Sequence, residues 1–446
     1  MRKLKDTNIK DMQTYTTDEP IYALATSYSP SALAVIRASG EGSISMLIPF
    51  FKGRLSKATS NQAVHGYIID KNGKKIDEVM VIRYNKGRGY TSEEAFEIMS
   101  HGSLAVIRAI SKVLEEAGFR QALRGEFTYR AFMHGRMDLT EAEAVEELVK
   151  AKGDKARADA LSRLDGSLKT EIDSAKSDIV NILASLEVQL DYGEDEIIDE
   201  WIFPEEKVDA IISRLESIAG TYSASRLYSE GATVVLAGST NAGKSSLFNA
   251  LLKENRAIVS SIAGTTRDYL EVQAEIEGIP VRLFDTAGLR NSSDEIEAEG
   301  IRRSQALMDD ADLVVYVLDG DEEEKAKGDK TLYVHSKLDL TGNKQDLSFS
   351  SKTGEGIADV AKAIANALSA NVTEYKDVPQ IDSERQKRML EETVEALKDA
   401  KKAKGMSVDI IALYFQSALS SLSYLTGEVT NDDILDVLFS SFCLGK

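Results

Sequence analysis

One cysteine, Cys443, in 446 residues rules out an internal disulfide framework and fits a reducing compartment. No run of about twenty apolar residues is found, so no membrane-spanning helix is expected. Behind Met1-Arg2-Lys3-Leu4-Lys5-Asp6 there is no apolar core of the kind a secretory signal carries, and a cytoplasmic location is expected. Positive charge is in deficit: 54 Lys and Arg against 73 Asp and Glu leave a formal net charge of −19. Affinity for nucleic acid comes largely from cations neutralising phosphates, so a general nucleic-acid binder is disfavoured and any RNA contact is expected to depend on a partner. The local basic groups at Lys86-Gly87-Arg88 and Lys398 to Lys404 read as solvated faces. Against these deficits stand a 43% hydrophobic content, ample for burial, and a length that exceeds one ordinary core and implies about three domains.

Chemistry is concentrated in the segment from about residue 229 to 371. The apolar run Thr233 to Ala237 leads into Gly238-Ser239-Thr240-Asn241-Ala242-Gly243-Lys244-Ser245, and Ser246 opens a helical stretch. This is a phosphate-binding loop in a strand-loop-helix setting. Its glycines let backbone N–H groups point inward at phosphate oxygens at the positive end of a helix. Lys244 would reach the terminal phosphates, and the Ser245 hydroxyl would ligate Mg²⁺. Asp285-Thr286-Ala287-Gly288 ends the strand Val281 to Phe284, where a carboxylate can hold the metal's water shell and the Gly288 N–H can sense a terminal phosphate. Thr266, in Gly264-Thr265-Thr266-Arg267-Asp268, supplies a second hydroxyl ligand.

Leu313 to Asp319 and Leu332 to His335 read as buried parallel strands, the second leading into Ser336-Lys337-Leu338-Asp339. Asp339 accepts the two N–H donors of guanine's Watson–Crick edge, which adenine lacks. Ser350-Ser351-Lys352 closes over the base. Ser336 stands where guanine-binding motifs carry asparagine, which predicts weakened nucleotide affinity with GTP preference retained. Together these elements read as a GTPase. An ATP-using P-loop protein is disfavoured by Asp339.

These motifs resemble the TrmE/Era/EngA branch of P-loop GTPases, and the rest of the chain resembles the MnmE (TrmE) family of tRNA-modification GTPases over nearly its whole length. Leu289 takes the place of the glutamine that orients water in Ras-like enzymes. The resemblance implies that potassium supplies the missing charge, held by Asn241 and a loop matching Ser260, Ile262 and Thr265; the same loop, with Ser261, Ala263 and Gly264, contacts GTP. It also implies that Glu297 positions the attacking water. Gly125 to Leu139 matches the family signature joining an N-terminal tetrahydrofolate-binding, dimerising domain to a helical domain. The folate-contacting positions map onto Arg37, Glu97 and Arg136, where Arg136 replaces the usual lysine and Arg124 the usual proline. The terminal Cys443-Leu444-Gly445-Lys446 matches the family's Cys-x-Gly-Lys ending, implying Cys443 and Lys446 near the one-carbon chemistry, Lys446 among the folate contacts. The family acts as a homodimer with a FAD-containing MnmG-like partner on the wobble uridine of tRNA, the carbon coming from 5,10-methylene- or 5-formyl-tetrahydrofolate. An Era-like RNA-binding switch without modification chemistry has no use for this ending.

The expected architecture is multidomain, α+β and α/β: an α+β module over 1–130, a helical domain in two halves at 131–228 and 372–446, and a Ras-like GTPase domain inserted at 229–371. In the first module Ile21 to Thr26 and Ala32 to Arg37 read as strands, Val64 to Ile69 and Glu78 to Arg83 as a hairpin around Asn72-Gly73, and Thr91 to Ile98 as helical. Leu161, Leu164, Leu168 and Ile172 carry helical spacing, continued from Ile179 to Leu190 and resumed at Val208 to Leu215, Glu384 to Ala403 and Val408 to Leu425. The acidic stretch 193–200 reads as a solvated loop.

Overall fold

The computed structural model describes residues 15–191, 201–254, 270–286, 305–320, 328, 330–341, 347–370, 373, 375, 377–430 and 432–445. The fold is mixed helix and sheet. The chain divides into two compact units, Met1–Glu146 with Ser423–Lys446, and Glu147–Leu422.

The first unit is built on a seven-stranded sheet: β1 (Ile21–Leu24), β2 (Ser31–Ser39), β3 (Phe51–Lys52), β4 (Gln62–Ile69), β5 (Lys75–Tyr84), β6 (Ala95–Gly102) and β7 (Arg120–Gln121), in the order β3-β4-β5-β6-β2-β1-β7. Every pairing is antiparallel except β1 with β7. The β4–β5 hairpin forms as expected, with Gly73 at φ 79° in its turn. The helix expected over Thr91–Ile98 is not there. Ser92 adopts a left-handed φ of 59°, which breaks helical continuation, and Phe96, Ile98 and Ser100 alternate into the core as β6. The sheet packs against helix Leu104–Glu116, whose Ile107, Ile110, Val113 and Leu114 are buried at spacings of three and four.

The signature segment owes its order to a buried charge network. Arg130, on helix Glu126–Met133, is fully buried and donates to Glu93 at 3.2 Å, Glu126 at 3.1 Å, and the carbonyls of Thr16 and Glu19 at 2.9 and 2.7 Å. Glu93 in turn accepts from Ser39 Oγ at 2.6 Å, and Glu126 pairs with Arg120 at 2.6 Å. Charges taken out of water persist only when paired. Arg130→Met is therefore expected to cost about 3–5 kcal/mol, since it takes the buried cation from two acids and two carbonyls; a urea midpoint unchanged from the parent chain would contradict this.

The second unit carries a five-stranded sheet, β8 (Ala232–Gly238), β9 (Leu270–Ile276), β10 (Ile279–Asp285), β11 (Leu313–Leu318) and β12 (Thr331–His335), in the order β12-β11-β8-β10-β9. All neighbours are parallel except β9, which joins β10 through Glu277-Gly278, both at positive φ. β8, apolar from Val234 to Ala237, is buried between two neighbours, as a central parallel strand requires. Helices Lys244–Glu254 and Ile357–Ser369 contribute Leu247, Leu251, Val360 and Ile364 to the core beneath it.

Further helices among the described residues include Ser43–Leu47, Leu139–Lys150, Asp154–Leu164, Ser167–Asp191, Glu205–Gly220, Tyr222–Glu230, Glu384–Lys402 and Val408–Thr426. The periodicity through Leu161 and Ile172 spans two helices, because Gly166 turns the chain at φ 87°. Among the described residues one helix, Val408–Thr426, is long and apolar enough to cross a membrane by length and composition alone, with a mean hydropathy of 1.2 and one third of that window buried, a test that a core helix also passes. Its buried stripe is Phe415, Ala418, Leu422 and Leu425. The lysines at 398–404 are matched by acids: Lys398 pairs with Glu216, Lys401 with Asp209 and Lys404 with Glu205. The acidic stretch 193–200 lies outside the described residues.

Candidate functional site

The loop after β8 is shaped by backbone positions that only glycine tolerates. Gly238 sits at φ 136°, and a Cβ there would lie 2.2 Å from the Val317 carbonyl oxygen of the neighbouring strand. Gly243 sits at φ 101°, and Asn241 takes a left-handed φ of 63°. Helix Lys244–Glu254 then starts at the carboxyl edge of a parallel sheet, where ligands gather in such folds. Lys244 is 7% exposed, and its Nζ donates to Gly238 O at 2.9 Å and Ser239 O at 2.6 Å. Ser245 Oγ donates to Asp285 Oδ2 at 2.7 Å, and Asp285 is 1% exposed. Register explains this meeting: Asp285 on β10 stands opposite Leu236 on β8, and Thr286 Oγ1 donates to the Leu236 carbonyl at 2.8 Å. A hydroxyl and a buried carboxylate side by side beside a cationic loop make the donor set a hard divalent cation takes. Ala242 is buried, while Asn241 and Ser246 are exposed at the loop surface.

The base-side motif lies where β12 gives way to the short helix Leu338–Thr341. Buried His335 donates from Nδ1 to Gly320 O at 2.9 Å, and the Ser336 N–H donates to Leu318 O at 2.9 Å. Asp339 Oδ1 accepts from the buried Ser350 Oγ at 2.7 Å, and that Oγ accepts from the N–H groups of Lys352 and Thr353 at 3.3 and 3.2 Å. Thus Ser350 organises both its own loop and the Asp339 carboxylate, while Ser351 and Lys352 are exposed. Lys337, at φ 61°, pairs with Asp319 at 2.6 Å, a partner the motif reading overlooked because it lies on a different strand end. The expected nucleotide residues Ser260, Ser261, Ile262, Ala263, Gly264, Thr265, Thr266, Ala287 and Gly288, with Glu297, lie outside the described residues.

A second cluster forms in the first unit. The β2–β6 register sets Arg37 opposite Glu97, and the two pair at 3.0 Å, each about one fifth exposed. Arg37 also donates to the Gly445 carbonyl at 3.0 Å, and its guanidinium lies 5.6 Å from the ring centroids of Tyr90 and Phe127. Tyr84 donates to Glu97 Oε2 at 3.2 Å, and Tyr90 shares a 3.0 Å hydrogen bond with Thr128. Burial pushes the phenols of Tyr84 and Tyr90 up, Tyr84 further through the Glu97 charge; both remain protonated donors at neutral pH. Arg136 is exposed, and its charge is felt at Tyr90. These tyrosines and Phe127 were not expected; they reach the Arg37–Glu97 pair from β5, from the segment between β5 and β6, and from helix Glu126–Met133.

The C-terminal tail reaches the same cluster. Leu444 bridges Arg124 in antiparallel fashion, and Gly125 N–H donates to the Cys443 carbonyl at 3.4 Å. Gly125 at φ 67° permits close approach of helix Asp432–Ser440, since a Cβ there would meet Phe439 O at 2.4 Å. The Cys443 side chain is exposed, and Lys446 lies outside the described residues.

Two family models match the chain: the MnmE helical domain over residues 139–443, and the GTP-binding protein TrmE N-terminus over residues 20–136. Among curated proteins, the tRNA modification GTPase MnmE of Treponema denticola is 39% identical, covering 97% of this chain and 99% of its own. The proteins of the same name from Borrelia recurrentis and Thermus thermophilus are 39% and 37% identical; each match covers 96% of this chain, with 98% and 99% of theirs.

Proposed function

Because this chain belongs to the MnmE family of tRNA modification GTPases, we propose that it is a potassium-stimulated GTP hydrolase that modifies the wobble uridine of tRNA. It does so as a homodimer with a FAD-dependent MnmG-like protein, adding a carboxymethylaminomethyl-type group whose carbon comes from 5,10-methylene- or 5-formyl-tetrahydrofolate. GTP hydrolysis itself is the activity of the family. In it, Lys244 would exchange its carbonyl partners for phosphate oxygens, while Ser245 and Thr266 would hold Mg²⁺ and Asp285 its water shell. Bound there, the metal would supply neutralisation of phosphate charge. Asn241, Ser260, Ile262 and Thr265 would hold potassium, and Glu297 would orient the attacking water. The GTPase domain, 229–371, is an insertion between helical halves 131–228 and 372–446; the family match from 139 to 443 and the ion pairs joining helices Glu205–Gly220 and Glu384–Lys402 support that division.

The observation that carries the modification reading is the hydrogen bond from Arg37 to Gly445 O, which brings the terminal Cys443-Leu444-Gly445 stretch to the Arg37–Glu97 pair. A switch of the Era type needs no such meeting. Tetrahydrofolate is read as contacting Glu97, which accepts from the pterin's donor edge, and the cations Arg37 and Arg136, with Lys446 and Cys443 close by. Arg37→Ala is expected to weaken folate binding by at least tenfold, because a charge-assisted hydrogen bond is worth about 1.5–3 kcal/mol. Calorimetric titration with 5-formyl-tetrahydrofolate giving equal affinities for parent and variant would remove the folate assignment. The reading as a whole is tested by mass spectrometry of wobble uridines in tRNA from cells lacking this protein, where the modified nucleoside should disappear. Its persistence at normal levels would favour the switch reading.

A further inference from the structure

A groove of about 460 Å³ lies in the first unit between the β4–β5 turn and helix Leu104–Glu116. Ile76, Ala109 and Val113 give it an apolar floor. Its rim carries four lysines, Lys71, Lys74 and Lys75 from the turn and Lys112 from the helix, against two acids, Asp70 and Glu116. Both acids are engaged. Asp70 Oδ1 accepts from the N–H groups of Asn72 and Lys74 at 2.9 Å each, which holds the turn, and Glu116 stands 4.0 Å from Lys112. Lys75 Nζ lies 3.6 Å from the Tyr67 ring centroid. That leaves the exposed ammonium groups of Lys71 and Lys74 with no hydrogen bond or ion pair among the described residues. Lys337, Lys398, Lys401 and Lys404 are, by contrast, each matched by an acid.

Like charges gathered on one turn repel one another, a cost that a bound anion removes. In a chain of net charge −19, a polyanion is repelled by most of the surface and is drawn in where the sign reverses. We propose that this groove holds the sugar–phosphate backbone of tRNA, so that the chain contacts RNA directly. All four cations are lysines, compact point charges suited to phosphate oxygens, and the described lining has no arginine fork of the kind that matches planar carboxylates. RNA therefore fits the rim better than an acidic protein segment does. The contact positions and carries no chemistry, because Lys75 begins β5 while Ile82, seven residues along the same strand, pairs with Glu97; a rise of about 3.4 Å per residue sets the groove about 24 Å from the Arg37–Glu97 cluster. The proposal rests on the action of the family on tRNA and goes beyond the nucleotide and folate readings.

The experiment follows the anisotropy of a fluorescein-labelled tRNA transcript, unmodified at the wobble uridine, titrated with the full chain over a range of potassium chloride concentrations. Lys71→Glu with Lys74→Glu should weaken binding by about tenfold or more, and Lys71→Ala with Lys74→Ala should lower the slope of log affinity against log salt by about 2. The thermal midpoint should not move, since neither ammonium group has a partner to lose. Lys71→Arg with Lys74→Arg keeps the charge and should hold affinity within about twofold. Lys207→Glu with Lys362→Glu, which makes the same charge change at exposed positions outside the groove, should also stay within about twofold. Undiminished binding by the charge-reversed variant overturns the inference, and so does an equal loss at Lys207 and Lys362, which would make the effect one of net charge. Unchanged tRNA binding with lost association to the MnmG-like protein gives the groove to an acidic protein surface instead. A parent chain that takes up no tRNA also overturns the inference, and leaves the GTP and wobble-uridine readings to their own tests.

Discussion

Asp339→Asn is expected to lower GTP affinity by about two orders of magnitude or more and to raise affinity for xanthosine triphosphate. On the proposed reading the carboxylate accepts from both donors on guanine's Watson–Crick edge, and each hydrogen bond to a charged group is worth about 1.5–3 kcal/mol. An amide substitutes a donor for one acceptor, so one donor of guanine then faces an N–H. Xanthine carries a carbonyl at that place and suits the amide. The surrounding loop should survive the change, because Ser350 Oγ donates to Asp339 Oδ1, and an asparagine Oδ1 accepts equally well. Competition between the two nucleotides, measured for binding and hydrolysis, is the check. Undiminished GTP binding by the variant would show that guanine is read elsewhere.

If the proposed potassium site is right, turnover of GTP in potassium is expected to exceed that in sodium by a factor on the order of 10², and Asn241→Ala to erase the difference. With Leu289 in the place where Ras-like enzymes carry a water-orienting glutamine, and an alkali ion read in place of an arginine, charge that develops as the γ-phosphate leaves must be met by that ion. Loss of one preorganised electrostatic contact of this kind typically costs about 10²–10³ in rate. Asn241 is suited to hold the ion: exposed on the loop, it is kept in a left-handed conformation that asparagine tolerates better than most residues. The variant should still bind nucleotide, since Lys244, Ser245 and Asp285 are untouched. Steady-state rates in matched K⁺ and Na⁺ buffers decide it, and equal rates for the parent chain would refute the ion site.

The nucleotide-binding strings were legible because their function is local. Between Gly238 and Ser245 the positive φ values, the helix start and the inward N–H groups follow from consecutive residues, so residue order alone specifies the loop. Strands β8 and β11 were legible for a related reason, since burial on both faces leaves an apolar run, whereas β12 lies at the sheet's edge and is only half-buried over Thr331–Tyr333. Where local cues misled, tertiary burial overrode them: Thr91–Ile98 has a helix-like composition, but Phe96 and Ile98 gain more by alternating into the sheet core than a solvated helix would return.

Other features exist only once the chain has folded. Arg37 meets Glu97 across a strand register 60 residues apart and meets Gly445 across 408, and no spacing rule links positions so distant. Arg130 reads as an ordinary surface cation until Glu93, Glu126 and two carbonyls close around it. Ser336 reads as the loss of an amide that weakens nucleotide affinity; its buried hydroxyl, without a partner among the described residues, is seen beside Gly243 only in the fold. Backbone conformation answers to neighbours in the chain, and so residue order determines the phosphate loop. Burial and charge pairing answer to neighbours in space, and so the second cluster and the orphan hydroxyl were decided by the packing of strands, helix and tail.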